Sequence, residues 1–210
     1  KSVAIQNGAT AILNINSGTI SSEEDLAIKN YATVNHSDGT VSSNATSKVT
    51  VANAAAGSYT LSGGSIISSV GTAFGNLGTF MMTSGTMTTD GNYPTYYNNG
   101  GTATFQGGNI IQSQNNNYLV YNKVGTTTID GMSFTHNSGV LRNGNAIDDS
   151  VIMNLTNCNI TSTGSTAITN YGSLTITNGS VTSSAANAIN NSSKVTLKGN
   201  AKITSSIKDY

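Results

Sequence analysis

Residues 175–183 read TITNGSVTS, and this phrase decides the fold. Related phrases occur at residues 15–22 (INSGTISS) and 82–89 (MTSGTMTT). In each phrase apolar residues alternate with Ser and Thr, and a glycine or an Asn-Gly pair divides two short runs. This pattern is typical of two β-strands that each bury one face and are joined by a tight turn. Its recurrence along the chain indicates an internal repeat.

Two apolar columns fix the length of the repeat. The residues that follow each turn are Ile20, Val41, Ile66, Met87, Ile110, Phe134, Ile160, Val181 and Ile203. They are spaced by about 23 residues on average. Five residues before them lies a second column: Ile15, His36, Leu61, Met82, Phe105, Ile129, Leu155 and Ile176. One inserted residue in the ninth coil brings Leu197 into this column.

A third column contains asparagine. The phrase AITN at residues 167–170 recurs at residues 4–7, 27–30, 73–76 and 188–191 in related forms. The predicted column consists of Asn7, Asn30, Asn76, Asn99, Asn122, Asn170 and Asn191, with Asp149 as an asparagine substitute in the seventh coil. Asparagine tolerates tight turns, and its amide both donates and accepts hydrogen bonds. Stacked copies can therefore form a ladder that satisfies the backbone at each corner.

These columns predict an all-β fold, a right-handed parallel β-helix of about nine coils with three strands per coil. A left-handed hexapeptide helix needs a strict six-residue period, and a leucine-rich repeat needs its own leucine spacing and a helical segment. The sequence has neither. Parallel crossovers are right-handed as a rule. We expect residues 1–210 to form one domain, a rod of roughly 40 Å at about 4.8 Å per coil.

The Ala-Ile-x-Asn and apolar-Thr-apolar-x-x-Gly elements resemble the pectate-lyase-like β-solenoid repeats of bacterial surface proteins. The resemblance extends over nearly the whole chain. It implies the fold strongly and the function weakly, because such solenoids include polysaccharide lyases, glycoside hydrolases, phage tailspikes and non-catalytic adhesins. Degenerate repeats this rich in Ser and Thr are most similar to the adhesin regions of cell-wall proteins.

Composition narrows the possible partners. Charged residues make up 9% of the 210 residues, and the formal net charge is zero. Nucleic acid is therefore not an expected partner. The single cysteine, Cys158, excludes an intrachain disulfide. No apolar run reaches the length of a transmembrane helix. We expect a monomeric extracellular segment, cut from a longer protein attached to a bacterial cell wall.

The sequence predicts no catalytic residues. Polysaccharide lyases need a cluster of basic residues, whereas this chain has one arginine, Arg142, and scattered lysines. Hydrolases of this fold need converging carboxylates. The candidates are Asp90, Asp130, Asp148 and Asp149. Asp130 lies in an Asp-Gly turn phrase and Asp149 in the asparagine column, so a structural role is favoured for both.

No metal or cofactor is expected. Residues 23–25 (EED) form the one dense acidic run, for which a solvated turn is favoured over a calcium site. His36 occupies an apolar column and is expected to be hydrogen-bonded in the interior. His136 replaces a serine at a strand end and is expected at the surface or in a turn. Cys158 replaces Gly179 in the turn phrase, where packing of a small residue is favoured over reactivity.

The candidate ligand-binding residues come from a tyrosine cluster. They are Tyr93, Tyr118 and Tyr121, with Asn92 and Asn116 as hydrogen-bonding neighbours. Aromatic faces on a flat ladder suit sugar rings. Tyr97 and Tyr121 are one coil apart and are expected to stack. The alternative is core packing, since residues 96–97 align with Ala167 and Ile168.

We therefore expect a non-catalytic adhesin segment that binds a host or matrix glycan or glycoprotein along one side. Two alternatives stay open: a polysaccharide-processing enzyme of the same fold, and a structural spacer. An ice-binding face would need ordered outward threonine rows. It is disfavoured because Thr104 and Thr175 alternate with Asn14 and Asn154.

Overall fold

The computed structural model describes residues 2–46 and 49–206. This part of the chain is all-β, contains no helix and forms a β-solenoid of about nine coils of roughly 23 residues. It therefore has no helix that is long and apolar enough to cross a bilayer. The predicted fold class is confirmed.

The strands are short, as the spacing of turn residues predicts. In the described residues they are β1 (Ile5–Asn7), β2 (Ile12–Ser22), β3 (Ile28–Asn30), β4 (Thr33–Ser43), β5 (Val49–Asn53), β6 (Ser58–Leu61), β7 (Ser65–Ser68), β8 (Thr72–Asn76), β9 (Thr79–Met82), β10 (Thr86–Thr89), β11 (Tyr96–Phe105), β12 (Asn109–Gln112), β13 (Val120–Asp130), β14 (Ser133–His136), β15 (Leu141–Asn143), β16 (Ile152–Thr156), β17 (Asn159–Ser162), β18 (Ile168–Asn170), β19 (Ser173–Thr177), β20 (Ser180–Ser183), β21 (Ile189–Asn191), β22 (Lys194–Lys198) and β23 (Lys202–Ser205).

Each coil contributes one strand to each of three faces. The first face is built from strands that end at an asparagine, such as β3, β8 and β18. The second face follows it along the chain and includes β6, β9 and β19. The third face includes β7, β10, β12, β14 and β20. The long strands β2, β4, β11 and β13 turn a corner and belong to two faces each. All pairings between coils are parallel.

The two apolar columns are confirmed by the pairing register. In the second face Ile176 lies between Leu155 and Leu197, so the inserted residue in the ninth coil is also correct. In the third face Val181 lies between Ile160 and Ile203. The inward residues of the middle coils are buried and form one continuous core.

The asparagine ladder runs through nine coils of the described chain. Each side-chain Nδ2 donates to the Oδ1 of the next asparagine, over distances of 2.7 to 3.0 Å. The members are Asn7, Asn30, Asn53, Asn76, Asn98, Asn122, Asn143, Asn170 and Asn191. The same amides donate to corner carbonyls, for example Asn170 to Gly172 O at 2.8 Å. The ladder thus satisfies backbone groups that the corner removes from water.

Two predicted members of this column are wrong. Asn98 takes the position assigned to Asn99, because the register shifts after Asn98 at a bulge. Asn143 takes the position assigned to Asp149, which is exposed and accepts a hydrogen bond from Ser193. The corner between residues 143 and 152 is longer than elsewhere, so counting back from the second column lands on the loop.

Aromatic side chains fill the core of coils three to five. Phe74 lies edge-on to Tyr59 with ring centroids 4.9 Å apart, and Phe80 lies 5.5 Å from Phe105. His36 is fully buried below them and its Nδ1 is 2.9 Å from the Tyr59 hydroxyl. This confirms the interior position of His36. Burial lowers the pKa of this histidine, so the neutral ring is favoured.

His136 is buried, with 5% of its surface exposed, so the prediction of a surface position is wrong. It does pair with Ser162, as its place in the serine column requires. Cys158 and Met132 occupy the turn position of Gly179 and are also buried. The Cys158 thiol donates to the carbonyls of Ile129 and Thr156 at 3.3 and 3.2 Å.

Candidate functional site

The candidate site is built on the outward row of the first face. In each coil this row holds the residue that precedes the ladder asparagine, because inward and outward residues alternate along a strand. The row reads Gln6, Lys29, Ala52, Gly75, Tyr97, Tyr121, Arg142, Thr169 and Asn190. On the other two faces the equivalent positions are mostly Ser, Thr and Asn. The first face therefore concentrates the aromatic and basic side chains.

Four neighbouring coils contribute to an aromatic and cationic cluster. Tyr97 and Tyr121 meet edge to face with centroids 5.3 Å apart, as their spacing predicts. The Arg142 guanidinium lies 4.8 Å from the Tyr121 ring and 5.5 Å from the Tyr171 ring. It also lies 5.9 Å from the Tyr118 ring. Such cation–π contacts hold the planar groups in place while leaving them half exposed.

Polar bonds orient this cluster. Asn145 Oδ1 accepts from the Tyr121 hydroxyl at 2.9 Å and from Arg142 Nη2 at 3.1 Å. Arg142 Nε donates to Gly144 O at 3.2 Å. Burial raises the pKa of Tyr121, and the neighbouring Arg142 charge opposes that shift. The hydroxyl is therefore neutral at physiological pH; its proton is donated to Asn145, and its oxygen can still accept a hydrogen bond.

A groove adjoins the cluster where the outward row carries small residues. Ala52 and Gly75 form its floor, and Lys29 and Tyr97 form its two ends along the solenoid. Leu77 lines one side. The groove measures about 230 Å³, which is below the range of roughly 300–1,000 Å³ for drug-sized ligands.

The structure places the predicted ligand-binding residues in two neighbouring groups. Tyr118 and Tyr121 are both half-buried on or beside the first face, with centroids 6.4 Å apart. Asn92, Tyr93 and Asn116 are exposed on the corner that joins the third face to the first. The two turns of this corner touch where Asn117 Nδ2 donates to Asn92 O at 3.3 Å. Asn116 Oδ1 already accepts from Gln112 at 2.8 Å.

The alignment of residues 96–97 with Ala167 and Ile168 is off by one position. Tyr96 pairs through Val120 and Leu141 with Ile168 and is fully buried. Tyr97 takes the outward position of Thr169 and is half exposed.

Sequence reasoning missed Arg142 and Tyr171 as neighbours of the tyrosines, and Lys29 as the residue at the other end of the groove. The signal that could have found Lys29 and Arg142 is their place directly before a ladder asparagine.

The candidate carboxylates lie at different corners of the solenoid. Asp90 follows a third-face strand and accepts from Ser113 Oγ at 2.6 Å. Asp130 lies between the second and third faces, whereas Asp148 and Asp149 lie between the first and second. Two hydrogen bonds from Ser150 lower the pKa of Asp148. The arrangement does not bring Asp130 together with either of the other two corners.

Metal-ligating side chains are dispersed in the described residues. No group of three or more His, Cys, Asp or Glu side chains there could share an ion. Glu23 and Glu24 are exposed, and Glu23 accepts from Asn44 at 2.7 Å. Burial raises the pKa of Cys158, so its thiolate is disfavoured.

Comparison with known proteins gives no match: no family model, curated protein or solved structure is significantly similar to this chain.

Proposed function

We propose that this chain is a non-catalytic binding segment of a pectate-lyase-like bacterial surface adhesin. It contacts a host or matrix glycan, or a glycoprotein, along the first face. The observation that carries the proposal is the outward row, in which Tyr97, Tyr121 and Arg142 follow one another on neighbouring coils next to a groove. The rest of the surface is mainly short polar side chains.

The chemistry of this row fits a sugar chain. Half-exposed tyrosine rings offer apolar faces to the C–H faces of sugar rings. The Tyr121 hydroxyl donates its proton to Asn145, and its oxygen can still accept a hydrogen bond from a sugar hydroxyl. Successive coils lie about 4.8 Å apart, so rings on adjacent coils present one continuous strip. The strip is held by Arg142 and Asn145 before any ligand arrives, which reduces the entropy lost on binding.

The charge of the row favours an acidic glycan. Lys29 lies at one end of the groove and Arg142 at the far end of the cluster, and no carboxylate occupies the outward row in the described coils. Lys123 lies 6.0 Å from the Tyr97 ring. A uronic acid or a sulfated sugar would therefore meet cations at both ends of the aromatic strip.

Binding can be tested with a glycan array, followed by titration of the best ligand. We expect Tyr121→Ala and Tyr118→Ala to weaken binding by at least tenfold with little change in melting temperature, because these rings lie outside the core. Tyr93→Ala tests whether the corner belongs to the site. Thr175→Ala on the second face is the matched control. Binding that survives all three tyrosine changes would refute this site and leave the chain a spacer.

The enzyme alternative needs its own assay. We expect no release of unsaturated or reducing sugars from polygalacturonate or other wall polysaccharides. The carboxylates support this expectation, because glycosidases use a pair that flanks one bond. Turnover that disappears with Asp130→Asn or Asp149→Asn would replace the adhesin proposal with the enzyme.

A further inference from the structure

The backbone hydrogen bonds that join successive strands of the third face are interrupted between coils five and six. Within the described chain, the residue after each third-face strand normally donates its N–H to the last residue of the strand one coil earlier. Ser113 N donates to Thr89 O at 2.9 Å, and Ser69 N donates to Ser43 O at 3.0 Å. Between coils five and six no backbone N–H takes this role, and Gln112 O lies 3.3 Å from His136 Nε2 instead. β12 and β14 therefore do not pair.

At the start of the third-face strands, the hydrogen bond between coils five and six is also missing. In the next coil Asn159 N donates to Met132 O at 3.0 Å, but no such bond joins Ser133 to Gly108. Gly131 at this corner has open space where a side chain would point. At the equivalent Gly107 a side chain would collide with the Thr83 carbonyl of the preceding coil. Coil six is thus not stacked on coil five along the whole of the third face.

The interruption coincides with a change of residue type in one inward column. The last inward position of the third-face strands is serine or threonine in most coils: Ser22, Ser43, Ser68, Thr89, Ser162, Ser183 and Ser205. In coils five and six it holds Gln112 and His136. The strands part, and the imidazole spans the space between them.

His136 stabilises the open arrangement. Its Nε2 lies 3.3 Å from Gln112 O, and its Nδ1 lies 3.3 Å from both Gly139 O and the backbone nitrogen of Ser138. Gln112 is fixed in turn by bonds from its Nε2 to Gly91 O at 2.7 Å and to Asn116 Oδ1 at 2.8 Å.

The parted strands enclose a notch of about 160 Å³, with Leu119 among its lining residues. Alternate residues of a parallel strand direct their N–H and C=O groups to the same neighbour. Asn109 donates to coil four, so the backbone of Ile110 faces the notch from β12. Asn159 donates to Met132 of coil six, so the backbones of Ser133 and Thr135 face the notch from β14.

We propose that this notch binds an extended peptide of about three residues, which enters the third face as an additional strand between residues 109–111 and 133–135. Unpaired backbone N–H and C=O groups lie on both sides of the notch. A peptide backbone matches this arrangement better than other common ligand classes do. The inward side chain of the peptide must be small, because it meets Ile110 and Phe134, which are already buried. Its last outward side chain lies between Ile111 and Thr135, where a β-branched residue packs best.

The probe is the tripeptide acetyl-Ser-Ala-Thr-amide, which follows a third-face strand phrase with alanine at the large inward position. We expect the amides of Ser133 and Thr135 to exchange rapidly in the free protein and to become at least tenfold more protected at millimolar peptide. The same peptide N-methylated at threonine should bind at least tenfold more weakly, since it lacks one pairing N–H. Protection of these amides without peptide, or no effect of millimolar peptide, overturns the proposal.

Two protein variants test the site itself. Ser133→Pro removes one N–H that faces the notch and breaks no internal bond, and proline is tolerated at the start of a strand. It should weaken the peptide at least tenfold with an unchanged melting temperature, whereas Asn159→Pro, which loses the bond to Met132, should lower the melting temperature. The double change Gln112→Ser with His136→Ser should close the notch, protect Ser133 and abolish binding. Equal peptide affinity in all variants would refute the site.

Discussion

The ladder predicts a large cost for removing one buried amide. Asn170 Nδ2 donates to Asn191 Oδ1 at 2.7 Å, to Gly172 O at 2.8 Å and to Lys194 O at 3.0 Å. Its Oδ1 accepts from Asn143 Nδ2 at 2.9 Å and from Gly172 N at 3.3 Å. In Asn170→Ala these partners lose their bonds, and those on the buried side cannot reach water.

The loss in free energy of unfolding depends on which of these partners remain inaccessible to water. Each buried unsatisfied group costs about 1–3 kcal/mol. Asn191 and Lys194 are exposed enough to be hydrated, which leaves mainly Gly172 and the amide of Asn143. Asn143 keeps its bond to Ser173 O at 3.2 Å. We therefore expect Asn170→Ala to lower the free energy of unfolding by about 2–4 kcal/mol.

Asn178→Ala is the control, because Asn178 is half exposed. Its amide bonds to Asn157 at 3.2 Å, and its φ is 59°. Alanine in this left-handed conformation costs about 1 kcal/mol, and water replaces the lost side-chain bonds. Urea unfolding followed by far-ultraviolet circular dichroism measures both variants. A larger loss for Asn178→Ala than for Asn170→Ala would refute the structural role of the ladder.

Three further predictions concern the core. Ile176→Asp should cost about 4 kcal/mol or more because a carboxylate replaces a buried side chain, whereas the outward Thr175→Asp should cost about 0.5 kcal/mol or less; equal melting temperatures would contradict the register. His36 has a pKa below its ordinary value of about 6.5, so the unfolded chain binds the proton first and stability falls as the pH decreases from 7 towards 5. His36→Gln should flatten this dependence in unfolding titrations, and an unchanged slope would exclude His36 as its source. Cys158 should react with iodoacetamide far more slowly in the native than in the unfolded protein, as mass spectrometry can show; equal rates would mean that the thiol is accessible.

The fold was predictable because two apolar columns repeat through every coil. The periodic constraint acts on all inward positions at once, so a polar replacement such as His36 does not hide the pattern. Register was predictable for the second face, including Leu197, because the strands there have nearly constant length. These are the positions where hydrophobic burial alone selects the residue type.

The asparagine column was only partly predictable because it lies across a corner of variable length. Counting back from the second column crosses the bulge after Asn98 and the long corner after Asn143. The same count also missed Asn53. Side-chain hydrogen bonding, which no hydrophobic pattern records, decides these positions.

The tyrosine cluster of the candidate site was predictable in composition and not in geometry. Clustering along the chain indicated Tyr118 and Tyr121, and the spacing indicated the contact of Tyr97 with Tyr121. From the sequence, the single arginine Arg142 served only to argue that the chain lacks the basic cluster of a lyase. Its contacts to three tyrosines depend on the register of the first face, which cannot be read from the sequence pattern. The one sequence signal for the notch was His136, which stands in a column of serines. The number of residues between coils five and six is close to the average, so the repeat length did not indicate an interruption.

Inward residues hold the coils of the solenoid together, so a ligand can be contacted only by outward residues. The inward columns and the ladder are enough to hold the coils together, so the fold places almost no demand on the outward rows. Ser, Thr and Asn occupy most outward positions of the second and third faces, and a spacer would need nothing more. Tyr97, Tyr121 and Arg142 depart from that default on adjacent coils, where their rings cost solubility and add little to the core. The fold does not require these three side chains, and they are concentrated on one face. We expect such a concentration on a surface that contacts a ligand.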